Sequence, residues 1–74
     1  MIFLAKAKVI TVEERTSKNG NKYKSVICKD CNSKDVLTTM AKEDIDTQED
    51  QTYTITFNFN SRYKNLQIES IKKE

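Results

Sequence analysis

Thr52-Tyr53-Thr54-Ile55-Thr56-Phe57-Asn58-Phe59-Asn60, TYTITFNFN, sets Tyr53, Ile55, Phe57 and Phe59 at alternate positions, with threonines and asparagines between them. Successive side chains of an extended chain point to opposite faces, so this order makes one face apolar and the other polar. A helical period of 3.6 would mix the two sets. The segment is therefore a half-buried strand. Tyr53, Ile55 and Phe57 read as core, and Phe59, near the strand end, can reach a surface.

Working outward, Asn60-Ser61-Arg62 is a turn, and a last strand follows from about Tyr63 to Lys72. Leu66 and Ile68 share one face of it, while Ile71 is out of phase, which predicts a bulge near Ser70. On the other side, residues 42 to 51 are polar and acidic, with Ile45 as their only apolar side chain; this predicts a loop or one helical turn. Val36 to Ala41, VLTTMA, suits a short strand. Asp30 to Asp35, DCNSKD, is a polar turn, and Lys22 to about Lys29 is a further strand. Thr16 to Asn21 holds Asn19-Gly20, the strongest hairpin signal in the chain. The first strand alternates Phe3, Ala5, Ala7 and Val9 against Lys6 and Lys8, yet Ile2, Leu4, Ile10 and Val12 share the lysine face. A long strand that bends and changes environment accounts for both sets.

Five strands, short polar turns and no long amphipathic helix predict an all-β chain, a five-stranded OB-fold (Greek-key) barrel forming one domain over residues 1–74. An SH3-like barrel is the structural rival. Periodicity alone does not separate them.

The 74 residues are 36% hydrophobic and 32% charged, with one glycine and no proline, as in a globular domain. A core this small favours a staple or a partner, and a second copy of the chain is the expected one. No run reaches the 18 apolar residues of a spanning helix, and Met1 to Ala5 is cut off by Lys6, too short for a signal peptide. The expected location is the cytoplasm, the host's if a phage encodes the chain, with no membrane partner. There Cys28 and Cys31 stay as thiols. The net charge of +2 is segregated: residues 41 to 51 carry five acids against Lys42, a balance of −4, which leaves +6 on the rest.

Histidine, the commonest general base and metal ligand, does not occur, and a single glycine excludes the glycine-rich phosphate loops. An enzyme, a cofactor and a small-molecule substrate are not expected. Cys28-Lys29-Asp30-Cys31 has the spacing of a zinc-gripping pair, but one pair is half a site. Only a second subunit's pair or nearby carboxylates could complete it. The simpler expectation is that Cys28 is a small buried residue and Cys31 lies in a turn.

Cations interleaved with aromatics remain. Arg15, Lys18, Lys22, Tyr23 and Lys24 fall on or beside the first hairpin, and Arg62, Tyr63 and Lys64 repeat the basic-Tyr-basic order at the last turn. Single-stranded nucleic acid calls for this pairing: cations neutralise phosphates while an aromatic face stacks on unpaired bases. The competing reading makes both tyrosines caps of the barrel core and the lysines solubility charges.

Three segments in order resemble the gene V family of single-stranded-DNA-binding proteins of filamentous phages. They are KNGNKY (Lys18 to Tyr23), similar to that family's basic-x-Gly-x-x-Tyr tip, QTYTITF (Gln51 to Phe57) and YKNLQIE (Tyr63 to Glu69). The resemblance implies an OB-type domain that forms a symmetric homodimer and coats single strands cooperatively without demanding a sequence. It also implies that Tyr23 stacks on a base, that Lys18 contacts phosphate, and that Tyr63 matches an aromatic placed near the neighbouring subunit's hairpin. Lys72 falls close to a basic position on that family's last strand. Glu13 and Glu14 lie where the family tends to be basic.

The expected function is non-catalytic binding of single-stranded DNA during phage or plasmid replication. The alternatives are a cold-shock-like domain that binds RNA and a small phage-encoded barrel that binds a host protein.

Overall fold

A computed structural model describes residues 1–73. Its five strands are β1 (Ile2–Thr16), β2 (Lys22–Asp30), β3 (Val36–Lys42), β4 (Thr52–Asn60) and β5 (Asn65–Lys73). They close into a barrel in the order β1-β2-β3-β5-β4, with β4 returning to β1. This order is the Greek key of an OB-type barrel, and it decides between the two architectures open to the sequence. Among the described residues no helix is long and apolar enough to cross a membrane.

The 15-residue β1 belongs to both halves of the barrel. Its first part, Ile2 to Lys8, pairs with β4, and Ala7 to Thr16 pairs with β2. Between Val9 and Thr11 the register with β2 slips, so Ile10 has no cross-strand partner. One inserted residue reverses which positions face inward. Ala7 and Val9 are accordingly buried before the bulge, and Val12 packs on the core after it. The mixed apolar pattern of this strand thus has a single cause. Ile2 and Leu4, on the outer face, remain exposed.

β5 uses the same device. Thr56 pairs with Ser70 and Phe57 with Ile68, leaving Glu69 unpaired; both Ile68 and Ile71 then face the core. The expected bulge is present one residue from Ser70. The strand itself begins at Asn65, two residues later than its apolar pattern suggests. The Asn60 carboxamide oxygen accepts from the amides of Arg62 and Tyr63 at 3.0 and 3.3 Å, and Lys64 takes a φ of 53°, so the turn extends through Lys64.

Val9, Val26, Cys28, Ile55 and Phe57 are completely buried, and the Phe3 and Phe57 rings stack with centroids 5.3 Å apart. Each of the Val, Ile and Phe side chains contributes about 1.5–3 kcal/mol on leaving water. Thr39, the buried polar member of β3, donates its hydroxyl to the Val26 carbonyl at 2.9 Å, which offsets its desolvation. The acidic segment forms no helix. It crosses from β3 to β4, with Ile45 packed against the core, the Gln48 amide donating to the Tyr53 hydroxyl at 3.1 Å and the Glu49 carboxylate accepting from the Val12 amide at 3.1 Å.

Candidate nucleic-acid interface

OB barrels bind oligonucleotides on the outer face of strands 2 and 3, flanked by the β1–β2 and β4–β5 loops. In this chain those loops are Ser17 to Asn21 and Ser61 to Lys64, the two places where cations surround tyrosine. The first closes with the Gly20 amide donating to the Ser17 carbonyl at 3.0 Å and the Ser17 amide donating to the Asn21 carbonyl at 2.8 Å. Gly20 takes a φ of 83°, which an L side chain adopts only under strain, whereas Asn19 has no positive φ. Only Gly20 of the Asn-Gly pair therefore supplies left-handed backbone.

Strand registers set what lies beside Tyr23. Arg15 on β1 and Lys42 on β3 are its direct cross-strand partners. Directly paired residues share a face, so Arg15, Tyr23 and Lys42 form one row across three strands. The next rows outward from the hairpin are Glu13, Ser25, Met40 and Gln67, and then Thr11, Ile27 and Thr38. The resulting platform is cationic and aromatic at one end, carries the exposed Glu13 carboxylate in the next row, and is otherwise small, polar or half-buried apolar beyond it. Tyr23 is half-buried, and a concavity beside it is lined by Arg15, Lys22, Lys24, Glu14 and Glu43.

Lys42 was not visible as a site residue in the sequence, where it borders the acidic run. Its pairing across 19 positions could be read only from register. Lys24 lines the concavity beside Tyr23, and its ammonium is engaged by the neighbouring loop. Alternation turns it to the opposite face of β2 from Tyr23, and its ammonium donates to the Ile45 carbonyl at 2.9 Å. Its charge therefore fastens the acidic loop to the hairpin. Arg15 is engaged by Glu13 at 2.7 Å, with both side chains more than half exposed, a pair worth well under about 1 kcal/mol that a phosphate could displace. Lys18 and Lys22 are exposed at and beside the hairpin tip.

At the other loop, Tyr63 is 66% exposed and the Arg62 guanidinium lies 5.5 Å from its ring centroid. One ring face is thus occupied by a cation. Lys64 reaches the groove formed with Val36, Thr38 and Met40 of β3. The two tyrosine clusters are not one site, because they flank opposite ends of β3, whose six steps span roughly 20 Å. They bracket one face. Lys72 stands apart from both: it pairs with Thr54 on the outer side of β4 and β5.

The cysteines fall as the sequence suggests, Cys28 buried and Cys31 half-buried in the turn. Among the described residues no group of three or more His, Cys, Asp or Glu side chains could hold a metal ion. Burial, with the Asp30 carboxylate as a lesser cause, pushes the Cys28 thiol up from 9.0 to about 11. The folded state then keeps this proton to higher pH than the unfolded chain, so stability is intact below about pH 9 and falls as pH rises towards 11. At about 1.4 kcal/mol per pH unit, that loss is bounded near 3 kcal/mol. Urea unfolding of the protein and of Cys28→Ala at about pH 8 and about pH 11 should show a steeper loss for the unsubstituted chain. Parallel losses would remove the thiol as the cause.

No family model, curated protein or solved structure matches the chain, so its likeness to the gene V family rests on the three segments quoted from the sequence.

Proposed function

We propose that the protein binds single-stranded DNA on the outer face of β1, β2 and β3, without catalysis, and coats it during phage or plasmid replication. The observation that carries this reading is the row Arg15, Tyr23, Lys42, in which an aromatic ring sits between two cations on the face that OB barrels use. The cations attract phosphates, and the ring stacks on a base that a duplex would keep paired. Tyr63, exposed at the far end of the same face, offers a second stacking surface. The likeness to the gene V family supports the same reading.

A homodimer belongs to the proposal. Ile2 and Leu4 are 65% and 68% exposed on the outer side of β1, and exposed apolar side chains there favour cover by a second copy.

The test is a titration of labelled oligo-dT and of duplex of equal length at two salt concentrations, with the molar mass measured alongside. Preferential binding of oligo-dT that weakens with salt, by a particle of two chains, is the expected result. Equal or no binding would overturn the reading. Tighter competition by an RNA oligomer would move it to RNA, and capture of a host protein with no retention on DNA would favour the protein-binding alternative.

A further inference from the structure

A second cluster of cations lies on the barrel away from Tyr23. Lys8 of β1 pairs directly with Lys29 of β2, and on its other side with Thr52 of β4. One row away, Lys72, Thr54 and Lys6 are aligned across β5, β4 and β1. Lys8, Lys29 and Lys72 are exposed. Lys34, held at a φ of 65° in the β2–β3 turn, lines one concavity with Lys8, Lys29 and Thr52.

Like charges directly opposite in a sheet are destabilising, so the Lys8 and Lys29 pair has no folding benefit. Two carboxylates border it. Asp30 is turned into its own loop, where one oxygen accepts from the Asn32 and Ser33 amides at 2.7 and 3.1 Å. Asp50 is exposed on the concavity and neutralises at most one lysine. The cluster therefore keeps a positive excess. Its hydroxyl and ammonium groups suit phosphate oxygens, and with no aromatic ring among them they suit phosphate without base.

The position of Lys29 joins this cluster to the first face. On β2 the outward residues run Tyr23, Ser25, Ile27, Lys29, roughly 20 Å from end to end. A strand leaving the Tyr23 row along β2 would arrive between Lys29 and Lys8. We infer that these lysines form a second, base-blind segment of the same path, on which the sugar-phosphate backbone of a longer single strand continues around the barrel. This rests on the single-strand reading proposed above.

The test compares oligo-dT of about 4 and about 16 nucleotides, the ends of the range an OB fold covers, on the full chain and on Lys8→Gln/Lys29→Gln. Each neutralised phosphate contributes about 0.7 to the salt slope of a single strand. The double variant should therefore lower that slope by about 1.4 for the long oligomer, which corresponds to about 25-fold weaker binding near 0.1 M salt relative to 1 M. Binding of the short oligomer, seated at Tyr23, should not change. Lys8→Glu, which replaces repulsion from Lys29 by attraction, should melt no lower than the parent and should weaken the long oligomer at least as much. If the unsubstituted chain binds no oligo-dT, the single-strand reading falls and this one with it. If it binds but the slope of the double variant is unaltered, only the second segment is overturned.

Discussion

Tyr23→Ala should bind oligo-dT about 5 to 150 times more weakly than the parent chain at fixed salt, because stacking on one base contributes roughly 1–3 kcal/mol. The salt slope should be unaltered, since no charge is removed. Lys42→Gln should show the reverse pattern, a slope lower by about 0.7 with a smaller loss of affinity. The contrast follows from the roles proposed for the row they share, the ring acting through its face and the lysine through its charge. Tyr23→Phe should retain most of the affinity, because stacking uses the ring and not the hydroxyl. Fluorescence titration of labelled oligo-dT at two salt concentrations measures both quantities. Wild-type affinity in Tyr23→Ala would sink the stacking role, and an unchanged slope in Lys42→Gln would remove that lysine from the phosphate path.

The largest effect on folding is expected at Phe57. Its ring is completely buried and stacks on Phe3, and truncation to alanine removes both contacts and leaves a cavity. Such substitutions cost about 3–5 kcal/mol. A chain of this length has a total stability on the order of 4–11 kcal/mol. Phe57→Ala should accordingly lower the melting temperature by about 12–40 °C, at 4–8 °C per kcal/mol, or abolish the transition. Phe59→Ala, two residues along the same face but only half-buried, should cost clearly less. Thermal melts followed by circular dichroism compare the two. Equal shifts would mean that the core does not centre on Phe57.

That ranking within β4 could be read from TYTITFNFN, because the period of two puts both rings on the inner face and only Phe59 lies near the strand end. The strand limits came from the same signal, and it failed where local geometry interrupts the period. β5 starts later than its apolar pattern because the Asn60 side chain and a left-handed Lys64 hold the turn. Ile10 belongs to neither face because it is the inserted residue of a bulge. The tyrosines and most of their cations were identifiable from adjacency. Lys42 was not, since its partner is 19 residues away and its sequence neighbours are acids. Adjacency to Tyr23 places Lys24 with the site, where it lines the same concavity, and alternation along the strand turns its ammonium to the Ile45 carbonyl. Cross-strand proximity depends on register, and no single segment encodes register.

The barrel closes through the parallel contact of β3 with β5, and only Met40 with Gln67 and Ala41 with Ile68 are in register there. The antiparallel pairings each run over seven or more positions, so this short seam is where the cylinder parts most readily. The same four residues line a cleft with Tyr23. In the proposed single-strand interface, a polymer lying across that cleft would span the seam and would bind the closed form. Such binding would draw on the closed population, and occupancy would in turn hold the cylinder closed, by an amount that grows with the ratio of ligand concentration to Kd.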